Sequence, residues 1–343
     1  MKKVKYIALV ALVLLLAMAC KKKNQDPEPI AKTEYIIGEL EHSSGKTAAV
    51  LWTNGNMDYV TNGTYDAYTN DLIKQGRDIF IAGSERSVVS PSDPSEMNSL
   101  AVYWKNKAQI TLTNGSTNAE SNAIAVHGND IYVAGIEYNA ARSRLNARLW
   151  KNGALVTLND GSYWSIATGV AVHGNDVYVS GNENLLGNPT ARLWKNGVAS
   201  TLATPGLPSF AGRIKIYGND IYVLGQYSDG EFSKACYWKN GTFQAVDFLP
   251  GGRNYNISDL LVKDGTVHLT GYGHDGSGWK PLYWEGNIAY KLNEDNGSAY
   301  GIADVDGTIT IVGEVDGYPV KWENRNETFR GTTQGHFRKI IYE

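Results

Sequence analysis

Nine tryptophans stand in the 343-residue chain, and seven of them fall in a regular column. The other two, Trp164 and Trp279, are the residues from which chemistry is most simply read. A flat indole flanked by Asn, Asp and Arg can stack on the apolar face of a sugar while the polar groups take its hydroxyls. Tyr163, Arg253, Tyr255 and His274 also lie off the repeated pattern and complete the candidate ligand-binding set. A second reading stays open: amphipathic rings of this kind commonly cover the ends of a core.

Signatures of catalysis are missing. The sequence has no G-x-S-x-G elbow, no H-E-x-x-H and no glycine-rich phosphate loop ahead of a helix. A pair of carboxylates in a channel could still cleave a glycoside. Asp66, Glu120, Asp160 and Asp295 are the acids placed for that work, and their spacing singles out no pair. His127 and His173 occupy the same turn position in two copies of the repeat, so they read as turn residues. "DVDG" at Asp304 lacks the full spacing of a calcium loop. No catalytic residue, metal or cofactor is assigned.

The elements that would position these side chains come from the repeat. One column is Trp52, Trp104, Trp150, Trp194, Trp238, Trp284 and Trp322. Another is the glycine closing each "IYVAG"-like run: Gly38, Gly83, Gly135, Gly181, Gly225, Gly271 and Gly313. Each copy holds four short strand candidates, and "HGND" and "KNG" between apolar runs are hairpin turns. Such four-stranded antiparallel meanders, arrayed radially, make a β-propeller. The chain starts its repeat part-way, at Thr33, and leaves it on a first strand, His336 to Glu343. The expected fold is therefore all-β: one seven-bladed propeller over residues 33–343, closed by the C-terminal strand pairing with the N-terminal one.

The two faces differ in their connections. First-to-second and third-to-fourth turns are minimal throughout, whereas the others are long and varied, including Glu85 to Ser99. Binding usually resides on varied loops carried by a rigid scaffold, so the long-loop face is the expected site. The apolar first strand and "hYhhG" second strand resemble the kelch repeat. The match is partial, with one closing Gly and the Trp in the third strand, and it transfers no catalytic residue.

Ahead of the repeat, "MKKVKYIALVALVLLLAMAC" pairs three lysines with an apolar run too short to span a bilayer. "LAMAC" resembles the lipobox of bacterial lipoproteins, which implies cleavage before Cys20 and acylation of that residue. Residues 1–19 then read as a signal peptide and 20–32 as a flexible tether. Several acyl chains anchor a protein stably without spanning the membrane. The expected location is the bacterial envelope, at the outer membrane. The chain is also similar to repeat-bearing lipoproteins of Bacteroidetes. Loss of the three leader lysines from 32 basic residues leaves 29 against 35 acidic ones, which argues against nucleic acid as a partner. Cys236 has no cysteine partner once Cys20 is acylated and reads as a small buried hydrophobe. The expected function is a non-catalytic module that engages a glycan or an envelope protein. The alternatives are a polysaccharide hydrolase or lyase working in the channel, or an envelope assembly scaffold.

Overall fold

The computed structural model describes residues 32–343 apart from 91, 92, 159, 160, 186, 207 and 248; of 89, 90 and 93–96 only the backbone is described. Cys20, the leader, the tether and Asp160 therefore lie outside the described residues. Twenty-eight strands, β1 to β28 in chain order, form seven four-stranded antiparallel sheets. Blade 1 is built from β28 (Gly335–Tyr342), β1 (Glu34–Glu41), β2 (Thr47–Thr53) and β3 (Asn56–Tyr59), in that order. Blades 2 to 7 each use the next four strands in sequence, and each inner strand touches the inner strand of the next blade around the ring. Ile36 opposite Ile340 and Gly38 opposite Phe337 set the register of the closing pair. Closure leaves the ring without an unpaired blade, so no open edge invites a second chain at that point.

The tryptophan column has a single job. Seven buried clusters hold the core, each lying between two neighbouring blades and each containing one column Trp. Trp194 of blade 4 packs with Ala123, Leu149 and Leu158 of blade 3, for example. Cys236 is wholly buried between blades 4 and 5, as its neighbours Val223 and Trp238 would require.

The glycine column is explained by a bulge. In every blade the inner strand slips register opposite the glycine, leaving an extra residue such as Asn70, Asn122, Thr168, Ser258, Tyr300 or Arg338. The bulge lifts a carbonyl toward the second strand. A Cβ on Gly135 would overlap the Glu120 oxygen, and one on Gly181 the Ile166 oxygen. Only glycine fits this approach.

One expected loop is instead a strand pair. Within Glu85 to Ser99 the described residues extend blade 2 as two paired strands, with β5 (Asp78–Ser90) and β6 (Asp93–Lys105) in register from Glu85 opposite Leu100 to Val88 opposite Met97. Ser, Asp and Asn made that stretch read as a loop. The ladder already running past Gly83 continues through it, because Val88 and its neighbours tolerate extended backbone.

Two measurements check this architecture. Trp194→Ala should cost about 3 kcal/mol or more, the penalty of a large core cavity, while a surface change such as Val198→Thr leaves melting nearly unmoved. Removing residues 337–343 should lower the melting temperature far more than trimming residues 21–32. Equal melting of the two truncations would refute closure by β28.

Candidate functional site

The bulges aim polar side chains at the axis. Asn70 Nδ2 donates to the Ser121 carbonyl at 3.0 Å, Asn122 Nδ2 to Ala167 at 2.8 Å, and Thr168 Oγ1 to Ala211 at 2.8 Å, each reaching the next inner strand. One step further along, the axis carries charge. Arg213 of blade 5 pairs with Asp71 of blade 2 at 2.9 Å, across the ring, and Lys215 pairs with Asp259 of blade 6 at 2.7 Å. Lys339 of blade 1 stands between the two acids, 3.5 Å from Asp71 and 3.4 Å from Asp259. Asp71 also accepts the Ile124 amide and Asp259 the Ile302 amide, so each acid binds the blade after its own.

Three cations therefore meet two carboxylates. Burial alone would raise the Asp259 pKa, but Lys215, Lys339 and Arg213 hold it well below the usual carboxylate range. Lys339 is pulled below the ordinary lysine value by burial, with Lys215 and Arg213 adding to this and Asp259 and Asp71 opposing it. The channel also holds a cavity of 460 Å³, lined by Asp71, Arg213, Lys215 and Lys339 and otherwise mostly by apolar side chains. Of the acids expected in the channel, the three among the described residues form no pair with one another. Asp66 is tied to the Thr47 amide at 3.0 Å and Asp295 lies in the connection between blades 6 and 7. Glu120, on the inner strand of blade 3, is raised in pKa by burial alone.

On the long-loop face, the structure joins three of the expected residues. Arg253, His274 and Trp279 stand opposite one another across adjacent strands of blade 6. Trp279 is 43 % exposed and meets His274 edge-on at 5.5 Å and Tyr272 at 5.7 Å. Beside it lies a cleft of 570 Å³ between blades 6 and 7, walled by Tyr272, Trp279, Ser298, Tyr300, Glu314 and Asp316. Tyr300 is the extra residue of its bulge, and the Arg338 guanidinium, likewise a bulge residue, sits 4.8 Å from its ring. Arg338 and His336 both pair with Glu39, which also accepts the Thr69 hydroxyl at 2.8 Å. Burial would raise the Glu39 pKa, yet those partners bring it below the ordinary value.

The other expected residues part company. Tyr255 is a correction: only 1 % exposed, it packs against Trp284 between blades 5 and 6 and donates to the Leu249 carbonyl at 3.2 Å. Its ring is core because the strand is irregular here: the register slips between Arg253 and Asn256 and Asn254 takes a φ of 55°, so Arg253 stays exposed while Tyr255, two residues on, turns inward. Tyr163 is 48 % exposed and Trp164 half-buried, but both belong to blade 4, with blade 5 intervening. Among the described residues, no ring contact or hydrogen bond joins them to the Trp279 row. Tyr272, Tyr300 and Arg338 were missed by sequence reasoning; a bulge residue carries no mark of its own in one sequence.

No protein-family model matches the chain, and no curated protein sequence matches it. Solved structures do. An acylaminoacyl peptidase of Pyrococcus horikoshii is similar at a TM-score of 0.52 and 11% identity, over 86% of this chain and 50% of that one. An acylaminoacyl peptidase in complex with Z-Gly-Gly-Phe-chloromethyl ketone gives 0.51 and 12%, over 88% and 51%. TolB from Acinetobacter baumannii gives 0.48 and 12%, over 90% and 82%. The likeness is one of fold. The chain spans about half the length of the two peptidases it matches.

The plug makes an asymmetric prediction. Asp259→Asn leaves Lys215 without a carboxylate and Lys339 with Asp71 alone, and should cost about 3–5 kcal/mol. Lys339→Met leaves each acid one cation, so its cost should stay within about 1 kcal/mol. Chemical denaturation of both variants checks this, and a Lys339→Met loss equal to that of Asp259→Asn would refute it.

Proposed function

We propose that the protein is a non-catalytic binding module of the bacterial envelope that engages a glycan through the cleft beside Trp279. One observation carries this reading: an exposed indole, two tyrosines and two acids converge on one open cleft of the long-loop face. Rings of this kind offer flat apolar area to a sugar, while Glu314, Asp316 and Ser298 offer acceptors and a hydroxyl to its polar edge. Arg253 and His274 extend the row, and Tyr163 and Trp164 would serve only a ligand long enough to pass blade 5. A hydrolase in the channel has weaker support, because Asp71 and Asp259 are both engaged by cations.

The proposal includes the anchor. Residues 1–19 act as a signal peptide, Cys20 carries the lipid and residues 20–32 form the tether, with the propeller held at the outer membrane. Its support is the lipobox-like "LAMAC" run, as the kelch-like reading rests on the strand pattern. Cys20→Ser should move the protein from the membrane fraction to the soluble one. Unchanged fractionation would remove the anchor from the proposal.

Binding is tested on a glycan array, with a reducing-end assay on any polysaccharide that binds. Binding without product is expected; product would favour the hydrolase. Stacking residues at the centre of a site cost about 2 kcal/mol on truncation, roughly thirtyfold in affinity. Trp279→Ala should show that loss with melting nearly unchanged, and undiminished binding would exclude this cleft.

A further inference from the structure

On the short-turn face, blades 2 to 5 carry one clamp four times over. Asp78, Asp130, Asp176 and Asp220 each take a lysine at 2.7 Å, from Lys105, Lys151, Lys195 and Lys239 in turn. The asparagine after each lysine donates to the same carboxylate at 2.7–2.8 Å. The lysine also lies over the ring two residues beyond the aspartate, 5.3–5.4 Å from Phe80, Tyr132, Tyr178 and Tyr222. This arrangement neutralises its own charges and closes the lower edge of the blade.

Blade 6 abandons it. Thr266 stands where the aspartate would be, His268 replaces the ring, and Glu285 replaces the lysine. Blade 7 makes the same exchange with Thr308 and Glu323. Where the clamp is lost, a pocket of 320 Å³ opens at the seam between the two blades. At its base His268 is only 4 % exposed. Its Nδ1 meets the Tyr283 hydroxyl at 2.7 Å, and its Nε2 has no hydrogen-bond partner among the described residues. Burial lowers the His268 pKa and favours the neutral ring. The tautomer in which the phenol donates to Nδ1 carries its ring proton on Nε2, on the pocket side.

The walls carry opposite charges that are not spent on each other. Glu285 is exposed and forms no side-chain hydrogen bond or ion pair among the described residues. Arg325 is exposed too, and holds its guanidinium 4.2 Å from the centre of the Tyr290 ring, with no carboxylate in ion-pair range among the described residues. Both act on the Tyr283 hydroxyl, in opposite senses. Lys263, by contrast, is already committed to Asp304 at 2.9 Å and to the Gly307 carbonyl. A ligand that suits this pocket brings one charge of each sign to a neutral donor.

We propose that the seam between blades 6 and 7 on the short-turn face binds a small zwitterion of the α-amino-acid class. Arg325 and the Nε2–H of His268 hold its carboxylate, and Glu285 holds its ammonium. Planar guanidinium recognition of a carboxylate and a second, opposite charge together define the orientation.

Calorimetric titration of the full-length chain tests this with a panel of free L-α-amino acids, each beside its N-acetyl amide. At least one free amino acid should bind at about 1 mM or tighter, and its N-acetyl amide should not. Glu285→Gln and Arg325→Gln, both at exposed positions, should each weaken that binding about tenfold with melting unchanged. Thr266→Asp combined with Glu285→Lys restores the ion pair of the clamp of blades 2 to 5 and should abolish binding in a protein that still melts cooperatively. Trp279→Ala should leave it untouched, which separates this site from the glycan cleft. No binding at about 10 mM, equal binding of the amides, or binding that survives both single variants would overturn the proposal.

Discussion

Seven inner strands brought side by side around one axis leave a channel, and the filling of that channel governs the rest of the molecule. The bulge shared by the inner strands leaves at least one residue per blade unpaired and leaves inner-strand carbonyls such as that of Ser121 to be met from the neighbouring blade. Buried carbonyls and amides need partners. Asn70, Asn122 and Thr168 supply donors, while Asp71 and Asp259 supply acceptors to neighbouring amides. Two buried carboxylates then require cations, and Arg213 and Lys215 meet them from blade 5. An ion-pair set of this sort is weak evidence of added stability, because desolvation offsets most of the attraction. Its effect is to fix register: Arg213 reaches Asp71 only when blades 5 and 2 face each other across the ring.

An axis plugged by ion pairs leaves the rim as the place for the two proposed sites. The upper cleft around Trp279 and the lower pocket around His268 both lie at the seam of blades 6 and 7. That seam is where the repeat departs most from itself. Pro281 and Pro319 stand in the column where the five earlier blades have alanine, and Asp-Gly-Thr turns replace the Gly-x-Asp turns of blades 2 to 5. Positions that the repeat does not require are positions at which other demands can act.

The legible part of the sequence was the part that repeats. A tryptophan needed at every interface and a glycine needed at every bulge recur in register, so seven blades and their closure could be read without coordinates. The axial charges could not, because the position after the bulge reads Asp71, Ala123, Gly169, Arg213, Asp259, Gly301 and Lys339 around the ring. Nothing local distinguishes Arg213 from a surface arginine; only the curvature of the ring brings it to an acid 142 residues away. Likewise Arg253 and Tyr255 look alike as off-pattern residues and regular alternation would put both on one face, but the irregularity at Asn254, with its φ of 55°, sends one out and the other into the core. Trp279 stands out because it breaks the column, whereas its neighbour Tyr300 fills a bulge position that elsewhere holds Asn, Thr, Gly, Ser or Arg.

The two clefts share a seam but not an interior. Between them lies a packed cluster in which Ile311, Val315, Val320 and Trp322 are wholly buried. Close-packed interiors transmit displacement but do not admit ligands, so nothing bound above can touch anything bound below. Any influence of one on the other has to pass through a shift of blade 7 against blade 6 as a unit. The axis resists such a shift: Asp259 of blade 6 accepts the Ile302 amide of blade 7, and Lys263 reaches Asp304 and the Gly307 carbonyl across the same seam. Bonds at the axis and at the lower edge hold the seam at two separated points, which fixes both its spacing and its twist. The geometry of each cleft is thus set by the ring rather than by its own loops, and that preorganisation is what lets a few exposed side chains define a site.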